Sequence, residues 1–238
     1  MSLGGSKVVV LGGSSGIGLA VAKAARDDGA DVVIASRTTQ KLDAARGALG
    51  EGVQTHAVDM TDEQAVSDMF GAVGSVDHLV ITAAELGGGL VKETPANALK
   101  KAFDSRFWGS YYATQAAAPN MPRSGSITYF SGISAWKPFA GESVVAASAC
   151  AMESFARTMA VELAPIRVNT VCPGIVDTPL LDVFFGDARE AAVAGLNGVL
   201  PVGRIGRPDE IADAVVFLMT NGYMTGVTLH VDGGHRLV

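Results

Sequence analysis

The chain reads as an α/β protein, a three-layer sandwich in which a seven-stranded parallel sheet carries helices on both faces. Three observations predict it. Short Val/Ile-rich runs alternate with Ala-rich amphipathic stretches, and no hairpin signals lie between them. A glycine-rich turn at 12–18 joins the first such run to the first helical pattern. No repeat, linker or low-complexity tract divides the 238 residues, and a hydrophobic content of 48% is enough for one large core, so 1–238 is expected to be a single domain.

The elements follow in order. Residues 7–11 are a buried strand and 16–28 a helix. A strand at 31–36, a helix at 39–49 and a strand at 54–58 come next. The pattern then predicts a helix over 62–73 with Thr61 as its N-cap, and a strand over 78–82. Two helices at 96–104 and 110–121 precede a strand at 126–130. A long helix spans 144–163, with the ordinary capping types Glu142 and Ser143 at its start. It is followed by a strand at 167–171, a helix at 208–220 and a last strand at 228–231. The stretch 177–200 has no clear strand. It carries Leu180, Leu181, Val183, Phe184 and Phe185, and is either a packed excursion or a lid over a ligand.

Composition narrows the function classes. Lys plus Arg number 18 against 24 Asp plus Glu, for a net charge of −6 with no basic run, which argues against nucleic acid and against an anionic membrane surface. No apolar stretch reaches the roughly 18 residues of a bilayer span, and the first residues lack the pattern of a signal peptide. Cys150 and Cys172 have no CxxC spacing and fit a reducing compartment, so a soluble, cytoplasmic protein is expected. His56, His78, His230 and His235 show no metal-ligand spacing, and no metal is expected.

Gly12-Gly13-Ser14-Ser15-Gly16-Ile17-Gly18 directly follows a strand and opens a helix. Glycines let the backbone turn tightly and approach a pyrophosphate, while the helix start offers free N–H groups and the positive end of its dipole. Such sheets bind ligands beyond the carboxyl ends of their strands, at the topological switch point. The second strand ends in Ser36-Arg37. An acidic residue there would hold ribose hydroxyls and favour NAD, whereas a serine and a guanidinium suit the 2′-phosphate of NADP. Arg37 is otherwise a solvated loop charge; with the glycine loop beside it, NADP(H) is favoured over NAD(H).

The spacing Gly-x-x-x-Gly-x-Gly at Gly12, Gly16 and Gly18 resembles that of the short-chain dehydrogenases/reductases, a Rossmann-like family. The resemblance continues through 162–169, Pro173-Gly174-Ile175-Val176-Asp177-Thr178-Pro179, 204–212 and 225–234, in the family's order and over nearly the whole chain. It implies a nicotinamide cofactor, held by Gly12, Ser14, Ser15, Gly16, Ile17 and Gly18 in the loop and by Ser36 and Arg37 at the ribose. It also places Asp59 at the adenine amino group, with Met60, and Ala83 and Ala84 after the fourth strand. On the nicotinamide side it places Pro173, Gly174, the Val176 backbone and the Thr178 hydroxyl.

The departures from the family lie in its chemistry. Its tyrosine, the proton donor or acceptor, falls on Val145, and its lysine, four residues on, falls on Ala149. Its serine falls on Gly132, next to Ser131 and near Ser134, and its relay asparagine falls on Arg106, ahead of Gly109. Its Asn-Asn-Ala-Gly reads Ile81-Thr82-Ala83-Ala84. None of Tyr111, Tyr112, Tyr129 and Tyr223 is followed four residues later by lysine. The lysine's charge draws tyrosine down from its reference pKa of about 10; Val145 and Ala149 offer neither proton nor charge.

As replacements, Ser131 could hydrogen-bond a carbonyl but is a poor acid. Lys137 reads as a surface lysine, and Cys150 as a small buried hydrophobe. Arg106, in a mostly apolar site, needs an anion, either a substrate carboxylate or a neighbour such as Asp104. The expected activity is hydride transfer to or from a small carbonyl or alcohol without the usual acid–base pair. The alternative is a non-catalytic NADP-binding sensor or partner subunit. A third possibility is non-redox chemistry on an apolar ligand near Trp136, Phe139 and Phe184. The expected partners are a small, apolar molecule and further copies of the chain as a homodimer or homotetramer, with Met152, Phe155 and Met159 of the long helix packing at helical spacing.

Overall fold

The computed structural model describes residues 2–85 and 87–238; Met1, where the reading of the N-terminus begins, lies outside them. Strands β1 (Lys7–Leu11), β2 (Asp31–Ser36), β3 (Gln54–Ala57), β4 (His78–Ile81), β5 (Ser126–Phe130), β6 (Arg167–Pro173) and β7 (Thr228–Val231) form one parallel sheet in the order β3-β2-β1-β4-β5-β6-β7. The order reverses between β1 and β4. That is the switch point, and the glycine-rich turn leaves β1 there.

Alternation along the strands builds both cores. Val9 and Leu11 of β1 and Val33 and Ala35 of β2 face one side, while Val8, Val10, Val32 and Ile34 face the other. The first face is covered by α3 (Glu63–Val73), α5 (Gly109–Ala117) and α6 (Ser143–Glu162). The second is covered by α1 (Gly16–Asp27), α2 (Thr39–Leu49) and α9 (Pro208–Thr220). Because both faces are dry, β1 reads as an unbroken apolar run rather than as an alternating one.

Four expectations are corrected. Asp62, not Thr61, caps α3, accepting from the Ala65 N–H at 3.0 Å. The Thr61 hydroxyl is already donated to Asp59, at 2.8 Å. Helices 96–104 and 110–121 are one run. It continues from α4 (Ala96–Phe103) through a π turn at Asp104–Trp108 into α5, where a Cβ on Gly109 would lie 3.0 Å from that of Met60. The widened turn buries Arg106. The stretch 177–200 is helical rather than irregular. It forms α7 (Leu180–Phe185) and α8 (Arg189–Val199), separated where Gly186 takes a positive φ of 48°. Leu181, Leu200 and Ile205 make a small core of their own, joined by Phe185, Val193 and Leu196. Finally, α6 is by length and composition apolar enough to cross a bilayer, with mean hydropathy 1.2, although no such stretch was expected. Its inner face packs on β5 and β6 as a core helix. Met152 and Met159 are buried there, and Phe155 packs partly buried against the same core.

Candidate functional site

A cleft of about 830 Å³ opens at the carboxyl ends of β1, β2, β3 and β4. The glycine loop forms its floor. A Cβ on Gly12 would lie 2.5 Å from Thr82 Oγ1, and one on Gly18 would lie 2.2 Å from the Gly12 carbonyl oxygen, so both positions require glycine. The Ser15 hydroxyl makes no capping bond to α1, and the helix presents its first turn to the cleft. Ser14, Ser15, Gly16 and Ile17 all line it.

At the far wall, Ser14 Oγ donates to Ser36 Oγ at 3.0 Å. Arg37 lies at the mouth with Thr38 and Lys41. Its guanidinium donates to Glu85 at 2.8 Å, but both side chains are exposed, and such a pair is held weakly. Asp59 accepts from the Thr61 N–H at 2.9 Å and from its hydroxyl. The backbone bond above all, with the hydroxyl and the charges of Arg37 and Lys101 adding to it, holds the Asp59 carboxyl below its ordinary pKa, as an ionised acceptor. Met60, Ala83, Ala84 and Lys101 line the same wall. On the opposite side Thr178 lines the cleft with Pro179, Leu180 and Val183 of the 177–200 excursion. Pro173 and Gly174 are not among the residues that line the cleft, and a Cβ on Gly174 would lie 2.8 Å from Asp232 Cα. Val176 does not line it either; it is buried and bridges to Gly206.

The positions that the resemblance assigns to the family's acid–base pair, Val145 and Ala149, lie on the inner face of α6. Val145 is 6% exposed and Ala149 is fully buried. The Ser131 hydroxyl, 4% exposed, has no hydrogen-bond partner among the described residues. A Cβ on Gly132 would meet nothing within 4 Å. Arg106 does not pair with Asp104. Its Nη1 donates to the Val145 carbonyl at 3.3 Å, an oxygen that also accepts from Ser148 Oγ at 2.8 Å. Burial pulls the guanidinium down to about 10, against the opposing charge of Glu142. Burial raises the Glu142 carboxyl, and Arg106 opposes that shift. Glu142 precedes α6 without capping it through its side chain.

The remaining candidates lie elsewhere. Lys137 donates to the Val238 carbonyl. Cys150 is exposed, which corrects the expectation of a buried hydrophobe. Burial pushes the Cys172 thiol up to about 11. Trp136 and Phe139 rest edge-on against His230 and His235, Phe184 packs on Phe185, and none of the three aromatics lines the cleft. Sequence reasoning missed Lys41, one turn into α2, and Lys101, both of which line the cleft. Spacing from Arg37 signals Lys41; nothing local signals Lys101.

A sheet of this order, with a glycine loop at its switch point and a serine–arginine pair across the cleft, defines a dinucleotide-binding α/β protein. A family model described as Enoyl-(Acyl carrier protein) reductase matches residues 12–236. A "Short-chain dehydrogenase/reductase ATR9" of Stachybotrys chlorohalonatus is 34% identical over 97% of this chain and 96% of its own. Among solved structures, a "short chain dehydrogenase/reductase family protein" superposes with TM-score 0.92 at 36% identity, covering 100% of both chains. A "small-chain dehydrogenase in complex with NADPH" superposes at TM-score 0.81 and 34% identity, over 98% of this chain and 100% of that one. The chain belongs to the short-chain dehydrogenase/reductase family of oxidoreductases.

Proposed function

We propose that the protein binds NADP(H) in preference to NAD(H), and that it is an oxidoreductase scaffold whose usual acid–base pair is missing. The observation that carries the cofactor reading is the cleft wall formed by Ser36, Arg37 and Lys41, with no acid at the end of β2. Two cations there suit a 2′-phosphate, and Arg can grip it in bidentate fashion once released from Glu85. The residues also fit the rest of the group. The glycine floor leaves no room for side chains under a pyrophosphate, and an ionised Asp59 lining the cleft suits an adenine amino group as its donor. The solved relative holding NADPH supports the same reading. Fluorescence titration with NADPH and NADH tests it; equal affinities would refute it.

When bound, a nicotinamide cofactor supplies or takes a hydride at carbon. The protein must hold the carbon and manage the proton on its oxygen. Val145 and Ala149 have no proton to exchange and no charge to tune one. The Ser131 hydroxyl can hydrogen-bond a carbonyl oxygen, and Phe130, Leu180 and Val183 offer an apolar end for a small substrate. Hydride transfer is then left with proximity and a relocated donor or water. The buried, apolar state of Val145 and Ala149 equally favours the second reading, a non-catalytic NADP-binding sensor or partner subunit. NADPH oxidation against a broad carbonyl panel separates the two.

Self-association and a cytoplasmic location belong to the same proposal. Two free cysteines support the location. With Met152 and Met159 buried, Trp108, Tyr111 and Val161 are among the exposed large side chains that could serve contacts between copies. Sedimentation at micromolar concentration tests the association, and a monomer mass would reject it.

A further inference from the structure

The cations lining the cleft are Arg37, Lys41 and Lys101, and among the described residues only Arg37 is already in an ion pair. Its Nη1 donates to Glu85 Oε2 at 2.8 Å, and Glu85 lines the same cleft. The two residues follow different strands. Arg37 comes directly after β2 and Glu85 four residues after β4, and β1 lies between those strands in the sheet. The pair therefore joins two walls of the cleft across the strand from which the glycine loop leaves. The backbone of Glu85 is pinned, because its N–H donates to Ser105 Oγ at 2.8 Å, and Ser105 belongs to the π turn and lines the cleft too. Its side chain is freer. Both partners are exposed, and an exposed pair gives way easily to a stronger ligand.

We infer that Glu85 is a specificity-determining residue, whose carboxylate takes the place on Arg37 that a 2′-phosphate needs and so narrows the preference for NADP(H) over NAD(H). The inference rests on the proposed cofactor cleft. The end of β2 carries no acid, and the acid is supplied instead from the far side of β1. A guanidinium presents the same planar fork to a carboxylate and to a phosphate. To grip a phosphate with two parallel bonds, Arg37 must give up Glu85, or else hold two anions side by side. In either case the carboxylate stays near the phosphate, where like charges repel. NADH brings only hydroxyls to this place and meets neither cost. Lys41 and Lys101 still draw the phosphate, so the preference is narrowed rather than reversed.

The test titrates the whole protein, native and Glu85→Gln, with NADPH and with NADH, followed by nicotinamide fluorescence. The substitution removes the charge and leaves the backbone bond to Ser105 in place. NADPH affinity is expected to rise about threefold to fivefold, the scale of an exposed ion pair, while NADH affinity changes by less than about twofold. Glu85→Ala, which removes the carboxylate altogether, should move the ratio of the two affinities the same way. In an Arg37→Gln background, Glu85→Gln should bring NADPH no such gain, because no guanidinium is left to release. Unchanged NADPH affinity in Glu85→Gln overturns the inference. An equal gain for both cofactors overturns it too, since that is the general effect of net charge on an anionic ligand. So does an NADPH gain of the same size without Arg37, which would make the effect independent of the pair. The native protein keeps the two claims apart. Equal native affinities sink the cofactor preference, whereas a native preference for NADPH that Glu85→Gln leaves unchanged sinks only this inference.

Discussion

The loop after β1 and the first half of α6 differ in what their residues can do, and on the proposed reading they are the kept and the lost end of one family's chemistry. At the loop the glycines are constrained, and a single added methyl at Gly12 or Gly18 would strike backbone or Thr82. At α6 Val145 and Ala149 are apolar and buried with no group that exchanges a proton, and a Cβ on Gly132 would meet nothing within 4 Å. Geometry for binding a dinucleotide and chemistry for using it are therefore separable on this scaffold. The first resides in the backbone path and the second in a few side chains.

The largest expected effect comes from restoring the lost end. Val145→Tyr with Ala149→Lys should raise NADPH-dependent carbonyl reduction by about 10²–10⁴-fold, the usual worth of general acid catalysis. Each single change should give far less, because the phenol and the charge that tunes it act as a unit. Both substitutions enlarge a packed site, so thermal unfolding must show that the double variant folds. A double variant that folds, binds NADPH and gains nothing would break the comparison.

Damage to the kept end comes next. Gly18→Val should weaken NADPH binding about a hundredfold, roughly 2.7 kcal/mol. Circular dichroism is expected to show the sheet intact and fluorescence the lost affinity. Arg37→Asp should move the ratio of NADPH to NADH affinity about tenfold toward NADH, the scale of one charge-assisted bond. Unchanged preference would place the discrimination on Lys41 instead.

Much of the fold was legible because the central strands, such as β1 and β4, are dry on both faces and therefore carry apolar runs. The glycine loop was legible because backbone approach leaves a compositional trace. Arg106 was visible as a residue out of place, but its burial depends on a π turn that no local pattern announces. The helices α7 and α8 were passed over although Leu181 and Phe185, then Val193, Leu196 and Leu200, recur at helical spacing. Their core is small and local, and Gly186 interrupts the period. The cap at Asp62 was misplaced by one residue because Thr61 is equally apt by type and is already engaged by Asp59.

The smallest effect serves as a control far from both regions. His78 lies at the start of β4, opposite the cleft, with Nδ1 2.8 Å from Ser126 Oγ. Burial, aided by the Arg167 charge, pulls its pKa from 6.5 down to about 4. The folded value lies below the unfolded one, so this histidine contributes stability that is full above pH 6.5 and is lost as the pH falls through 4. Urea unfolding should show the native protein weakening across that window and His78→Gln weakening less. NADPH affinity at neutral pH should be the same in both. A His78→Gln variant with the native slope would assign acid sensitivity to other groups.

The most direct measurement of the central claim follows NADPH binding and NADPH oxidation on one preparation of native protein. Saturable NADPH binding together with turnover well below the roughly 1–10³ s⁻¹ of ordinary enzymes, across the carbonyl panel, is the predicted result. Turnover within that range on any member of the panel would contradict it, and would show that a proton donor other than the missing pair is at work beneath α6.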